Sequence, residues 1–404
     1  MSNSTTHAVA FIKKASLTNI DDVLKPIEEA RGLPNEHYTS NEVYEEEKQQ
    51  LIFNNWAGLD VGNSIPNAGD AKPVDFFGMP LLIIRDRDGS IGVFQNTCRH
   101  RGMILVKEPT KIRGVISCPY HGWCYGTKGD LRATPHVGGV GENTHESIKN
   151  EDLGLFAIRS HVWKDIIFVN VSGDAPEFEE YAGDLLERWK EFDQPIYHGG
   201  DTSSFTMELK CNWKLAVENY SESYHLPFIH PDLNSYSRIE DHYNIDEAEG
   251  YSGQGTTVYQ RLKSDDGKTL PEFSDLSSKW DEGAEYVTLF PNVILGIHRD
   301  HFFTMLLQPL GPQVTVEYTH LYYPSDPKDM PENDTIFERN AGLWKQVFSE
   351  DIQVVEGMQE SRHGQFFDGG KFSPAHDGPT HRFHTWVAKT LKASREQEVA
   401  VAGV

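Results

Sequence analysis

The sequence predicts an α+β chain of two domains, a small all-β domain followed by a larger one that combines an antiparallel sheet with flanking helices. Two observations lead there. From about residue 57 to 165 the chain is built of short strands separated by Asp-Gly and Gly-containing turns. Beyond it, runs of strands are followed by helical patterns without regular β-α alternation.

Residues 1–50 read as a polar, partly helical segment that packs on the second domain. In "NEVYEEEKQQLIFNNWAGL", Val43, Glu47, Leu51 and Trp56 punctuate a charged run that leads into the first strand. Residues 51–165 form the all-β domain: "PLLIIRDRDGSIGVFQN" alternates around a hairpin signal, and "CYGTKGDLRA" repeats the device. "HVWKDIIFVNVSGDAP" supplies a buried strand and a Gly/Pro break. Residues 166–404 form the larger domain. There "YAGDLLERWKEF" is helical and "SFTMELKCNWKLAVENYSESYH" runs from strand into helix. The span from Glu285 to Pro324 reads as successive antiparallel strands, and "DTIFERNAGLWKQVFSEDIQVVEGMQES" as a long amphipathic helix. The tail "KASREQEVAVAGV" reads as a frayed end.

At 404 residues with 38% apolar content, the chain has material for two substantial cores. Its 37 basic against 61 acidic side chains leave a net charge of −24, which turns the phosphate attraction of nucleic-acid binding into repulsion. The N-terminus lacks a basic stretch followed by a continuous apolar run, and no span of membrane-crossing length is apolar. A cytoplasmic protein is expected. In that setting the four cysteines do not read as a disulfide framework.

Two cysteines come with histidines: Cys98 and His100 in "CRHRG", and Cys118 and His121 in "CPYHGWCY". Soft thiolates and neutral imidazoles on turn-rich loops are metal ligands. A structural zinc ion would accept Cys2His2, but zinc modules usually draw each ligand type from a pair. Here each loop supplies one of each. That suits a two-iron cluster whose cysteines hold one iron and whose histidines hold the other, the Rieske arrangement. Cys124 and Cys211 read as buried structural cysteines.

These two segments resemble the C-x-H-R-G and C-P-x-H-G-W motifs of Rieske-type non-haem iron oxygenase α subunits. The resemblance implies an N-terminal Rieske [2Fe-2S] domain and a C-terminal catalytic domain of helix-grip type carrying a mononuclear iron.

The catalytic half offers a second constellation. His225 and His230 stand five residues apart, about 140° around an uninterrupted helix and too far to share an ion. Pro227 is expected to end the helix just after His225, which lets His230 swing back. In the long helix, Leu343, Val347, Asp351, Val354 and Met358 share one face. A carboxylate in an apolar stripe needs a partner, and a cation is a natural one. Glu350 falls with Gln346 and Gln353 on the polar side, so the pattern selects Asp351. Two histidines and a carboxylate make the facial triad of a non-haem Fe(II) oxygenase. "NWKLAVENYSESYH" and "EDIQVVE" resemble the iron segments of the same family, which implies His225, His230 and Asp351 as ligands.

Glu222 lies three residues before His225, one turn away on the same helical face if the helix continues. The resemblance gives this carboxylate, with Asn219 beside it, a catalytic role: in trimeric members it links the mononuclear iron of one subunit to a Rieske histidine of the next. That implies a homotrimer, with Glu222 facing His100 or His121 of a neighbour. The resemblance further implies O2 as co-substrate and NAD(P)H acting only through a separate reductase. No dinucleotide-binding fingerprint occurs here.

Naphthalene-type ring dioxygenases usually read N-x-x-G-D-x-Y-H, whereas this chain runs Asn219-Tyr-Ser-Glu222-Ser-Tyr224-His225. That variant is similar to oxygenase components acting on carnitine, glycine betaine and related methylated ammonium compounds. Oxidative demethylation of such a substrate is therefore expected. An aromatic-ring-hydroxylating α subunit is the alternative, and an electron-transfer or zinc-binding protein without oxygenase activity is a further one. Aromatic side chains in "YHLPFIH", "SYSRIEDHYN" and "GIHRDHFF" would suit a quaternary ammonium, and Arg299 could pair a substrate carboxylate.

Overall fold

A computed structural model describes residues 19–402 apart from 331–333 and 365. The chain divides into two compact units, one of residues 54–175 and one of residues 1–53 with 176–404.

The first unit is all β. Its strands are β1 (Ala57–Val61), β2 (Asp70–Phe76), β3 (Met79–Arg85), β4 (Ile91–Gln95), β5 (Thr110–Lys111), β6 (Ile116–Ser117), β7 (Cys124–Tyr125), β8 (Leu131–Ala133), β9 (Ala157–Trp163) and β10 (Ile166–Asn170). Seven pair in the order β1-β10-β9-β4-β3-β2-β5, and β6-β7-β8 form a second small sheet. The β3–β4 hairpin turns at the Asp-Gly signal, with Gly89 at φ +87° where only glycine is unstrained. A domain boundary at residue 165 would cut the β9–β10 hairpin, in which Ile166 pairs with Trp163. Between the sheets lies a core of Leu82, Ile84, Phe94, Trp123, Tyr125 and Leu131, and Cys98 and Cys118 belong to it.

The second unit is mixed. Its helices are α1 (Glu36–Thr39), α2 (Asn41–Glu47), α3 (Phe178–Tyr181), α4 (Gly183–Arg188), α5 (Trp213–Ser221), α6 (Leu226–Ile229), α7 (Pro231–Asn234), α8 (Asp334–Ser361) and α9 (Gly378–Ala402). The strands are β11 (Tyr197–His198), β12 (Ser204–Leu209), β13 (His242–Ile245), β14 (Tyr251–Thr256), β15 (Ala284–Leu289), β16 (Val293–Ile297), β17 (Phe302–Gly311) and β18 (Val314–Tyr323). They make one antiparallel sheet in the order β11-β18-β17-β16-β15-β14-β13, with β12 also on β18. Helices α5 and α8 pack against each other, α5 against β15 and α8 against β12.

The segment read as a frayed tail is helical as far as Ala402. Phe383, Val387 and Leu391 just before it are fully buried and anchor the helix, and Arg395 within the segment binds Glu46 of α2 at 2.7 Å. On α8, the buried stripe is offset from the one the sequence suggests. Ala341, Trp344, Phe348, Val355 and Gln359 are buried, whereas Leu343, Val347, Asp351, Val354 and Met358 form its half-buried flank.

Helix α5 is buried on nearly every side, charged residues included. Asn212 caps it, accepting from Lys214 N at 3.1 Å. The Lys214 ammonium lies 2.5 Å from Glu47 of α2. Glu218 accepts from Tyr38 OH at 2.5 Å and sits 3.0 Å from His384 Nε2 of α9. Buried charges stay only where partners are fixed, so these pairs set the depth and rotation of the helix that leads into the site.

Candidate metal centres

In the first unit the two Cys/His loops share one backbone design. Cys98 N donates to Met103 O at 2.8 Å and Gly102 N to Cys98 O at 3.0 Å; Cys118 N donates to Trp123 O at 2.8 Å and Gly122 N to Cys118 O at 3.0 Å. The glycine four residues after each cysteine has φ of +74° and +71°, a conformation that an L side chain would strain. Both cysteines are buried and both histidines exposed. His100 Nδ1 lies 3.1 Å from His121 Nδ1, and the His100 ring stacks on Trp123 at 4.8 Å. Burial and the adjacent His121 lower the His100 pKa, which favours the neutral imidazole a metal needs.

Two residues beside the ligands brace these loops. Asn96 Nδ2 donates to Val106 O at 2.7 Å, and its Oδ1 accepts from Val106 N at 3.0 Å. Tyr125 OH accepts from Arg99 N at 2.9 Å and therefore turns its own proton toward Cys98 Sγ, 3.2 Å away. Cys124 is half-buried rather than buried: its Sγ reaches Gly122 O at 3.1 Å across the loop. Cys211 is fully buried, as expected.

The second constellation closes tightly. Among the described residues, His225, His230 and Asp351 are the group of three that brings its ligand atoms within 4.8 Å of one another. Asp351 Oδ1 faces His230 Nε2 at 3.1 Å and His225 Nε2 at 3.8 Å. It is buried and accepts no well-directed hydrogen bond. An orphaned carboxylate oxygen aimed between two imidazole nitrogens is costly by itself and fits a cation. Cys98, His100, Cys118 and His121 do not converge in this way. A single structural zinc ion therefore fits them poorly, and a larger two-iron cluster fits them well.

The local folding differs from expectation in an instructive way. Helix α5 stops at Ser221, whose Oγ turns back to Val217 O at 2.6 Å, and Glu222 is extended with φ −125° and ψ 161°. Glu222 is thus not on a shared helical face with His225. Its carboxylate instead accepts the backbone N–H of Tyr224 and of His225, and holds His225 Nδ1 at 2.7 Å. Pro227 does not end a helix; it occupies the second position of α6, where its missing N–H costs nothing. His225 and His230 cap the two ends of that single turn, with rings 5.2 Å apart.

Glu350, assigned to the polar side of α8, lies 2.7 Å from His230 Nδ1. Each histidine therefore presents Nε2 to Asp351 while a carboxylate holds its Nδ1, the arrangement that fixes the tautomer of a metal-ligating imidazole. Burial works to lower the His230 pKa, and Asp351 and Glu350 outweigh it and hold the pKa up. Asn219 is buried on α5 and lines the cavity next to the triad, whose walls include Tyr220, Tyr286, Trp344 and Phe348. Arg299 is not on this wall; it is bound to Glu272 and Asp281, each at 2.6 Å.

Comparison with known proteins follows this division. Residues 171–393 match the ring hydroxylating alpha subunit (catalytic domain) family, and residues 55–144 match the Rieske [2Fe-2S] domain family. The chain belongs to the ring-hydroxylating oxygenase α subunits. It is a Rieske non-haem iron oxygenase, with a 2Fe–2S domain and a mononuclear iron domain. This oxygenase is 27% identical over 394 residues to chloroplastic choline monooxygenase of Atriplex hortensis, covering 93% of this chain and 82% of that one. It is 25% identical over 340 residues to the carnitine monooxygenase oxygenase subunit of Acinetobacter pittii, covering 83% and 86%. In structure it resembles a quaternary ammonium Rieske monooxygenase with a TM-score of 0.73 at 20% identity, over 92% of this chain and 98% of the other. At that identity the structural likeness carries the fold and not the substrate. No helix among the described residues is long and apolar enough to cross a membrane.

Proposed function

We propose that this oxygenase hydroxylates an N-methyl group of a small methylated ammonium compound. The observation that carries the reading is the cavity beside the triad, where Tyr220, Tyr286 and Trp344 offer aromatic faces within the space that His225, His230 and Asp351 border. Such faces attract a quaternary ammonium through their quadrupoles. The names of the two curated relatives point to the same substrate class.

In this reading Cys98, Cys118, His100 and His121 hold the 2Fe–2S cluster, and His225, His230 and Asp351 hold the mononuclear Fe(II). Bound there, the iron would supply reductive activation of O2 using electrons relayed by the cluster. Glu222 and Glu350 keep both imidazoles oriented, and Asn219 shapes the cavity beside them. Glu222 also serves as the link for electrons and protons from a Rieske histidine of a neighbouring subunit in a homotrimer. A separate reductase draws the electrons from NAD(P)H, and the complex works in the cytoplasm. With O2, two electrons and two protons, R3N⁺–CH3 becomes R3N⁺–CH2OH and water. Loss of formaldehyde and a proton then leaves the demethylated amine.

A neutral aromatic substrate is the second reading, favoured by Leu226, Leu233, Val347 and Phe348 in the same wall. The test supplies the purified, iron-loaded protein with a compatible reductase and NADH. Formaldehyde released from methylated amines supports the first reading. Oxygen uptake on aromatic acids, with no formaldehyde from any methylated amine, overturns it.

A further inference from the structure

The charges around the cavity deepen the proposed function and rest on it. Among the described residues, no lysine or arginine lines the space beside the triad. Arg238, next to the lining Ser237, has a side chain 65% exposed and directed toward Glu240. A carboxylate on the substrate would enter this space without a cationic partner, a costly desolvation.

Carboxylates, by contrast, surround it. Asp351 borders the cavity, and Glu222 and Glu350 stand directly behind His225 and His230. A fourth lies behind the aromatic wall. Trp344 donates Nε1–H to His301 Nε2 at 2.8 Å, so the proton of His301 sits on Nδ1, where it is given to Asp300 at 2.7 Å. Tyr259 OH also donates to Asp300, at 3.1 Å. His301 thus accepts through Nε2 and donates through Nδ1, and the Asp300 carboxyl, 1% exposed, takes both contacts. Three carboxylates thus stand at the triad and a fourth behind its aromatic wall.

The polar wall of Asn219, Ser237, His242 and Gln254 carries no basic side chain of lysine or arginine. Gln254 Nε2 donates to Glu222 O at 3.1 Å, so its Oε1 takes the Nδ1 proton of His242 at 2.6 Å. His242 Nε2 is left to accept from Ser237 OH at 3.0 Å. Ser237 Oγ also meets Thr256 Oγ1 at 3.0 Å, and the amides of Asn219 and Gln254 share the lining, so the wall holds uncharged donors and acceptors together. Such groups can hydrogen-bond a hydroxyl, whereas a carboxylate finds no cation among them. The donors of Tyr220 and Trp344 are engaged too, on Leu295 O at 2.8 Å and on His301.

We propose that the cavity selects methylated ammonium compounds whose other end is an uncharged hydroxyl, and discriminates against those that carry a carboxylate. The amino-alcohol class is the ligand, and the discrimination comes from the ring of carboxylates and from a polar wall without a lysine or arginine.

Two comparisons test it by isothermal titration of the iron-loaded protein. Choline and glycine betaine share the trimethylammonium head and differ in hydroxymethyl against carboxylate. 3,3-Dimethylbutan-1-ol copies choline with carbon in place of the charged nitrogen. Choline should bind at least roughly tenfold tighter than either. Glycine betaine binding as tightly as choline would overturn the discrimination and leave the methylammonium reading standing. The neutral isostere binding as tightly as choline would remove the role of the carboxylates. Binding of neither ammonium compound, with a neutral arene bound instead, would overturn the underlying reading and the proposal with it.

Discussion

Glu350 Oε2 sits 2.7 Å from His230 Nδ1, and the next residue along the helix, Asp351, faces Nε2 of the same ring at 3.1 Å. One helical step thus supplies both the carboxylate that borders the metal position and the one that orients a histidine beside it.

The two neighbours should separate cleanly on substitution. Asp351→Ala should lose the mononuclear iron altogether while the Rieske spectrum is spared. Glu350→Ala should weaken iron binding by about 10–100-fold, because His230 loses the acceptor that sets its tautomer. Iron stoichiometry against chelator concentration, with EPR of the reduced cluster as internal control, reads both. Retained iron in Asp351→Ala would mean that another carboxylate is the ligand.

Glu222→Gln removes a charge and keeps the size of the side chain that holds His225 Nδ1 at 2.7 Å. Both centres should remain loaded, and coupled turnover should fall by on the order of 10²–10⁴-fold, the scale of losing a positioned proton carrier. Normal coupled activity in this variant defeats the proposed route between subunits.

Tyr125→Phe deletes the proton that points at Cys98 Sγ from 3.2 Å. A hydrogen bond to a cluster sulfur stabilises the reduced, more negative state, so the reduction potential should drop by on the order of tens of millivolts. Protein-film voltammetry measures the shift. An unchanged potential would show that the hydroxyl points elsewhere once the cluster is bound.

Glu317 is buried and lines a cavity together with Asp351. Burial, helped by the Asp351 charge, pushes its carboxyl up to about 8 from an ordinary 4.5. Between those values the folded state binds more protons than the unfolded one, so this group's contribution to stability is lost as pH rises through about 8. In iron-free protein, Glu317→Gln should flatten that decline and raise stability at pH 9 by up to a few kcal/mol, on the order expected for such a shift. Thermal unfolding followed across pH provides the measurement, and parallel curves for the two proteins would refute it.

Much of the site was legible because ligand chemistry is local. Cys-x-His and Cys-x-x-His loops declare themselves through residue type and spacing, and the glycines at 102 and 122 mark the turns that close them. The strand-then-helix order of the second half was equally plain, since its hydrophobic periods are long. Glu350 escaped because a 3.6-residue period sorts side chains into buried and exposed faces and cannot show that a polar flank meets a histidine from another segment. Glu222 came near His225 for a reason the helical count did not contain, a carboxylate-anchored turn after Ser221. Pro227 was misread because the same residue that breaks a helix interior also suits a helix start. Tyr125 and Asn96 left no signal, since a hydroxyl on a loop backbone N–H is decided by tertiary packing alone.

The inward cysteines and outward histidines give the first unit a polarity of its own. Its sulfur side is insulated by Trp123, Tyr125 and Leu131, whereas its imidazole side meets solvent. In the proposed trimer a neighbouring subunit would cover that imidazole edge, so the edge would be the exit for electrons and a reductase would have to approach the cluster from another face.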